Sequence, residues 1–149
     1  MWQRIQTVFL IITIASLLIA LVQPIWQVQS GDATLTLTPF YLLQDNSYVY
    51  MPYSLTAILA VAGITLAIIT IRRYDNRLLQ IKLGALNSLV LAGFMFSAVI
   101  FTSKLSEQYQ GSVGMVWLIL AGVAVISNWL AIRFIRRDER LVRDSDRLR

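Results

Sequence analysis

Four long apolar stretches divide the chain, and none of them contains a charged side chain. The continuous runs are Thr7–Val22, Tyr53–Ile71, Leu83–Thr102 and Val113–Ile132. They have 16, 19, 20 and 20 residues, and an α-helix of about 20 residues crosses a hydrocarbon layer of roughly 30 Å. The pattern predicts an all-α membrane protein, a four-helix transmembrane bundle that forms a single membrane domain over 1–149. With their flanks, the predicted spans lie at about 7–24, 53–71, 83–102 and 113–132.

The segment 25–52, between the first two spans, has a strand-like periodicity. Residues Ala33–Thr38 read ATLTLT, an alternation of polar and apolar side chains that is typical of a strand with one buried face. Turn signals flank it at Ser30–Asp32 and Gln44–Ser47. We predict a small antiparallel β-meander whose apolar face rests on the helix ends, and a short polar loop at Ser103–Ser112. The three predicted strands are Ile25–Gln29, Ala33–Thr38 and Ser47–Met51.

Basic residues are concentrated on one side of the apolar stretches. Twelve of the thirteen Lys and Arg residues precede the first stretch, lie between the second and third, or follow the fourth; Lys104 is the exception. These segments have a net charge of +7, from twelve basic and five acidic residues, whereas the opposite side has −2, from one basic and three acidic. Because Lys and Arg near spans are retained in the cytoplasm, we predict a multi-pass protein of the bacterial inner (plasma) membrane. Both termini are predicted to be cytoplasmic and the β-meander extracytoplasmic.

The ends of the apolar stretches carry further signals. A short basic start before an apolar run also describes a signal peptide, but no small-x-small cleavage pattern follows Val22, so we predict a retained helix. Aromatic residues near the stretch ends are predicted to anchor the two membrane interfaces. The predicted outer anchors are Trp26, Tyr53, Tyr109 and Trp117, and the inner ones are Trp2, Tyr74 and Trp129.

The composition removes most enzymatic chemistry. The chain contains no Cys and no His, so it lacks thiol nucleophiles, disulfides, the commonest metal ligand and the usual general base near neutral pH. The absence of charged residues from the spans argues against a pump or a proton-coupled transporter. We therefore expect no enzyme activity, no catalytic or metal site and no cofactor.

Two asparagines occupy equivalent positions in the third and fourth spans. Asn87 is five residues from Lys82 and Asn128 is five from Arg133, so each lies about 7.5 Å from the basic boundary at 1.5 Å per residue. A side-chain hydrogen bond between them would hold two antiparallel helices together, and a polar ligand site is the alternative. A polar path through the bundle would also use Ser88, Ser97 and Ser127.

The tail, residues 133–149, reads RFIRRDERLVRDSDRLR and contains no Pro or Gly, so the fourth helix is predicted to continue into the cytoplasm. Phe134–Ile135 and Leu141–Val142 are apolar pairs seven residues apart, which forms a narrow seam at coiled-coil spacing. Glu139/Arg143 and Arg140/Asp144 are pairs of opposite charge at i,i+4 spacing. Three roles are open for the tail: a docking surface for a partner helix, a solvated anchor, or a segment that binds anionic headgroups or RNA. The predicted partner-binding residues are Arg136, Arg137, Arg140, Leu141, Arg143 and Arg147.

Two segments of the chain resemble a known family. The first segment is QRIQT at Gln3–Thr7, and the second is RRDERLVRDSDRLR at Arg136–Arg149. Combined with four spans and a longer first outer connection, they are similar to the family catalogued as domain of unknown function 4293. The resemblance implies a small four-helix inner-membrane protein of the Bacteroidota and transfers no activity or functional residue. The layout is also similar to that of claudins, but their cysteine pair is absent, so only the architecture is alike.

The sequence lacks catalytic chemistry but has two segments predicted to lie outside the membrane, the β-meander and the tail. This combination favours a non-enzymatic accessory or scaffold subunit that binds other membrane proteins. One alternative is a small-molecule or lipid transporter or channel. Another is a membrane tether for the ribosome or RNA through the basic tail. Membrane lipids and other integral membrane proteins are the expected partners, a homo-oligomer is left open, and nucleic acid is not expected.

Overall fold

A computed structural model of the protein describes residues 3–30, 33–44, 46–109 and 111–147, with residues 3–4, 29–30, 33–34 and 145–147 as backbone only. Within this part of the chain lie four α-helices and five short strands. The helices are α1 (Gln3–Val22), α2 (Leu55–Arg72), α3 (Arg77–Gln108) and α4 (Met115–Arg147). The strands are β1 (Trp26–Ser30), β2 (Ala33–Leu37), β3 (Leu42–Gln44), β4 (Ser47–Val49) and β5 (Ser112–Val113).

The four helices are each long and apolar enough to cross a membrane, which confirms the helical part of the prediction. α1 packs against α2 and α4, and α3 packs against the same two helices, so the helices form a four-membered bundle. Small side chains let the backbones approach closely, and several alanines at these contacts are fully buried. They include Ala60, Ala67, Ala121, Ala124 and Ala131.

Helices α3 and α4 continue beyond the apolar runs that predicted them. α3 begins after Asn76, whose Oδ1 accepts a hydrogen bond from the backbone N–H of Leu79 at 3.0 Å and so caps the helix. It continues for 32 residues, past Thr102 to Gln108. α4 has 33 residues and includes most of the tail, as the lack of Pro and Gly predicts. Helix length here follows backbone propensity and capping, whereas hydropathy marks only the apolar section.

The sheet lies at one end of the bundle, which we call the sheet end; the opposite end, with the α2–α3 connection and the tail, is the basic end. Strands β1 and β2 pair antiparallel as predicted, with Trp26 opposite Leu37. The prediction of three strands is wrong, because the antiparallel sheet has five strands in the order β4-β3-β2-β1-β5. The predicted third strand, Ser47–Met51, ends at Val49.

Strand β3 was missed because a tight turn returns the chain earlier than the sequence signals indicated. Thr38 Oγ1 donates to Tyr41 O at 2.9 Å and accepts from Tyr41 N at 3.1 Å, and the chain turns back at that point. Leu42–Gln44 then pairs with β2 on one side and β4 on the other. Three residues are too few for alternation to reveal a strand. Gly31, Asp32 and Asp45, which belong to the predicted turns, lie outside the described residues.

The predicted polar loop Ser103–Ser112 is also wrong. Its first part continues α3, and Ser112 begins β5, where it pairs with Gln27 of β1. The fourth helix consequently begins at Met115 rather than at Val113. A two-residue strand has no periodicity of its own, so its existence depends entirely on the neighbouring β1.

One apolar core joins the sheet to the bundle. Trp26 and Trp117 are 0% and 3% exposed, and the Trp117 ring lies 5.3 Å from that of Phe94. The prediction that these two tryptophans are interfacial anchors is therefore wrong, because both belong to the core. Trp129 is 54% exposed, as an anchor would be. Trp2 lies outside the described residues.

Candidate functional site

The two predicted asparagines meet between α3 and α4 near the basic end. Asn87 Nδ2 donates to Asn128 Oδ1 at 2.9 Å, and both side chains are fully buried. Asn128 Nδ2 donates in turn to Ser88 Oγ at 2.9 Å and to Gly84 O at 3.3 Å. These contacts fasten α3 to α4, which is the geometry of a helix–helix polar contact.

The other residues of the predicted polar path do not join this network. Ser97 Oγ lies 3.1 Å from Thr56 Oγ1, which links α3 to α2. Ser97 also donates to Phe94 O at 2.9 Å. Ser127 is buried on α4, 5% exposed. The structure therefore brings Asn87, Ser88 and Asn128 together and places Ser97 in a separate contact.

An open groove of about 1080 Å³ follows α4 at the basic end; we call it the basic groove. Trp129 and Arg133 lie at its start, and the Arg133 guanidinium carbon is 5.5 Å from the centroid of the Trp129 ring, a cation–π contact. The groove is thus aromatic at one end and strongly basic beyond it. Besides these two residues its lining includes Ala85 and Ser88 of α3 and Arg136, Arg137, Arg140 and Leu141 of α4.

Two acidic residues of the tail are paired with arginines that do not line the basic groove. Asp138 Oδ2 lies 3.3 Å from Arg77 Nη1, and the same nitrogen donates to Asp138 O at 3.0 Å. Glu139 pairs with Arg143 at 2.5 Å, at the predicted i,i+4 spacing. Both carboxylates are therefore occupied away from the groove, and Arg77 ties the beginning of α3 to the tail.

Two arginines of the basic groove, Arg136 and Arg140, keep an uncompensated charge within the described part of the chain. The predicted pair between Arg140 and Asp144 is not formed, and among the described residues neither Arg136 nor Arg140 makes an ion pair. Arg147, which was predicted to bind a partner with them, lies where side chains are not described. The groove is consequently a concentrated positive surface, although the tail as a whole contains four acids.

The apolar seam of the tail is only partly covered. Ile135 is fully buried, and Phe134 stacks on Phe9 of α1 with ring centroids 5.4 Å apart. One heptad further along, Leu141 and Val142 are 54% and 44% exposed. α4 therefore carries an apolar face beyond its contact with α1.

The open side of the sheet exposes a cluster of large side chains, Tyr48, Val49, Tyr50 and Met51, which we call the aromatic edge. Strand β4 has a neighbour on one side only. Tyr48 and Tyr50 are each 57% exposed and Met51 is 77% exposed. The Tyr41 ring makes edge-to-face contacts with both tyrosine rings, with centroid distances of 5.1 Å to Tyr48 and 5.9 Å to Tyr50. The aromatic edge is thus an ordered apolar surface.

A family model described as "Domain of unknown function (DUF4293)" matches residues 2–148. The chain belongs to the DUF4293 family. This confirms the resemblance seen in the first helix and in the tail, since the match includes Gln3–Thr7 and all of the tail segment except Arg149. No curated protein matches the sequence. Because membership of DUF4293 assigns no activity, functional inference depends on the surfaces described above.

In the described part of this DUF4293 chain, no group of three or more His, Cys, Asp or Glu is placed to hold a metal ion. The candidate functional features are surfaces: the basic groove, the exposed seam and the aromatic edge. One of them was readable from sequence, because Trp129, Arg133, Arg136 and Arg140 recur at spacings of four, three and four residues and so share a helix face. The aromatic edge was not readable, because it depends on the turn at Thr38–Tyr41.

Proposed function

We propose that the protein is a non-enzymatic integral membrane subunit, an accessory or scaffold component that binds another membrane protein. The aromatic edge is the observation that carries this proposal. Ordered, exposed apolar clusters mark interaction surfaces, and tyrosine and methionine are enriched in protein–protein contacts. Tyr48, Tyr50 and Met51 form such a cluster on a sheet that is fastened to the bundle through the shared core.

The proposal includes a four-helix transmembrane bundle in a bacterial inner membrane, with the sheet outside and the basic end in the cytoplasm. The length and apolar character of the four helices support the spans. The charge difference between the two ends, +7 against −2, supports the orientation. The aromatic edge would then lie at the outer surface of the bilayer.

The position of the aromatic edge favours a partner in the same bilayer. Met51 lies shortly before α2, whose first turns expose Leu55 and Ile58 at 46% and 61%. Exposed apolar surface therefore continues from the sheet onto the helix. A partner that covers both must have one part outside the membrane and one part within it, which is the description of a membrane protein.

The tail supplies a second contact surface in this proposal. Val142 lies about 120° and about 160° around α4 from Arg136 and Arg140, at 100° per residue, whereas Leu141 also lines the basic groove. Leu141 and Val142 continue the face that Phe134 and Ile135 use against the bundle. A partner helix placed there would extend the coiled-coil seam.

Transport is supported less well by the same structure. A transporter or channel needs polar groups that can exchange partners along a path. Asn87, Ser88 and Asn128 instead hydrogen-bond to one another between two packed helices, and Asn87 Oδ1 has no hydrogen-bond partner among the described residues.

Crosslinking from defined positions tests the proposed function. A photoreactive amino acid at Tyr48 or Tyr50, activated in cells before detergent extraction, is expected to capture one discrete membrane protein. The same amino acid at Phe96, 66% exposed on α3, serves as the matched control and is expected to give only diffuse products.

Purification of variants completes the test. Replacement of both tyrosines, Tyr48→Ala/Tyr50→Ala, is expected to abolish co-purification of the captured partner, whereas Phe96→Ala retains it. Recovery of the unmodified protein only as a lone monomer, with no discrete crosslink from the aromatic edge or from Leu141, would reject the proposed function.

A further inference from the structure

We propose that the basic groove binds one anionic glycerophospholipid, with the lipid phosphate between Arg133 and Arg136. This inference rests on the membrane embedding proposed above but not on the identity of a protein partner. It assigns the arginine face of α4 to lipid and leaves the aromatic edge and the exposed Val142 for protein.

The groove residues form a single stripe along α4. At 100° per residue, Trp129, Arg133, Arg136 and Arg140 fall within about 60° of one another on the helix surface. With a rise of 1.5 Å per residue, Arg133 and Arg136 lie about 6 Å and about 10 Å beyond Trp129 along the helix axis. Trp129 would mark the boundary of the hydrocarbon, and the two arginines would then lie at the depth of the phosphates.

The same face of α4 is apolar on the other side of Trp129. Leu118, Val125 and Ile126 are 45%, 37% and 59% exposed. At Gly122, in the middle of this face, a Cβ would meet no other atom within 4 Å, so the surface is open there. One continuous helix face therefore presents an apolar half and a basic half, in the order in which a lipid presents its acyl chains and its phosphate.

The charge of the groove matches a phosphate diester. Guanidinium groups bind phosphate oxygens with two parallel hydrogen bonds, which favours arginine over a simple point charge. Asp138 and Glu139 form ion pairs with Arg77 and Arg143, which do not line the groove, rather than with Arg133 or Arg136. An RNA or an acidic peptide would use only the basic half, whereas a phospholipid uses both halves. That is the reason for choosing lipid as the occupant.

Native mass spectrometry of the full chain in detergent tests the proposal directly. Phosphatidylglycerol is the probe and phosphatidylcholine is the comparison lipid. A basic side chain near an anionic leaflet contributes about fivefold to binding, so two arginines predict a preference of about 25-fold for phosphatidylglycerol. Arg133→Gln/Arg136→Gln is expected to remove this preference, and Arg133→Lys/Arg136→Lys is expected to retain part of it.

The matched control is Arg72→Gln/Arg73→Gln, which removes two exposed arginines from the same end of the bundle but outside the groove. This control is expected to keep the full preference. An equal loss in the control, or equal binding of both lipids by the unmodified protein, overturns the proposal. Displacement of the lipid by millimolar inorganic phosphate, or by an RNA oligonucleotide that needs Arg133 and Arg136, also overturns it.

Failure of this inference is distinguishable from failure of the proposed function. The groove variants leave Tyr48 and Tyr50 intact, so partner capture at the aromatic edge is measured independently. Release of the protein from membranes by alkaline carbonate would reject membrane embedding itself, before any lipid preference is measured.

Discussion

Asn128 on α4 accepts a hydrogen bond of 2.9 Å from Asn87 on α3, although the two residues are 41 positions apart and both are completely buried. Ser88 extends the contact by accepting from Asn128. Interhelical polar contacts in bilayers contribute only about 0.6–2 kcal/mol, because the unfolded chain in the membrane also finds hydrogen-bond partners. The pair therefore determines register between α3 and α4 more than it determines total stability.

Removal of one asparagine should expose this coupling. Asn128→Leu keeps the number and branching of the side-chain heavy atoms but leaves the Asn87 amide without its acceptor, so we expect the free energy of unfolding to fall by about 1–2 kcal/mol. Reversible unfolding in mixed detergent micelles measures it. The double variant Asn87→Leu/Asn128→Leu should lose less than the two single losses combined, with a coupling of about 1 kcal/mol. Strict additivity would contradict a direct interaction.

Two glycines should respond in opposite ways to the same substitution. A Cβ at Gly84 would lie 2.6 Å from Ile132 Cγ1, a buried residue of α4. Gly84→Ala is therefore expected to destabilise the bundle by about 1–3 kcal/mol through overpacking. Gly122→Ala meets no atom within 4 Å and should be neutral or stabilise by up to about 1 kcal/mol through helix propensity. Thermal unfolding in detergent compares them, and Ile132→Ala should partly rescue Gly84→Ala if the contact is the cause.

The ion pair between Arg77 and Asp138 should hold the tail against the beginning of α3. Both side chains are partly exposed, at 27% and 16%, so Arg77→Gln is expected to cost only about 0.5 kcal/mol. Hydrogen exchange is the sensitive readout, and amides around Asp138 should exchange faster in the variant. High salt should reproduce part of the effect in the unmodified protein. Arg73→Gln is the control, and an equal change there would show that general charge rather than this contact holds the tail.

The proposed orientation gives opposite labelling at the two ends of the bundle. Because the chain has no cysteine, single substitutions provide sites without background. Ser112→Cys at the sheet end should react with a membrane-impermeant thiol reagent in cells whose outer membrane is permeabilised. Asp144→Cys in the tail should react only after the inner membrane is also opened. Both residues are exposed, so the reverse pattern would reject the orientation.

Much of the helical architecture could be predicted because it is a local property. An apolar run of sufficient length predicts a helix whatever its neighbours are, and the continuation of α4 through the tail follows from the absence of Pro and Gly. Trp26 shows the limit of such reasoning. Its position at the end of an apolar run suggested an interfacial anchor, but it lies in β1 within the core shared by the sheet and the bundle and is 0% exposed.

The candidate surfaces were predictable to different degrees for the same reason. The spacing of Trp129, Arg133 and Arg136 lies within one helix, so the sequence contains the stripe. Whether those arginines are neutralised depends on Arg77, which is 61 residues away from Asp138 along the chain. No local pattern could show that Asp138 is occupied elsewhere.

The sequence by itself determined four apolar helices, the concentration of basic residues in the segments on one side of them and a helical tail, because hydropathy, periodicity and charge act over neighbouring residues. Only the tertiary structure decided the five-stranded sheet, the burial of Trp26 and the charge left in the basic groove. Strand β5 exists because Ser112 meets Gln27. Pairing between distant segments depends on how the whole chain packs, and that information is not present in any single stretch.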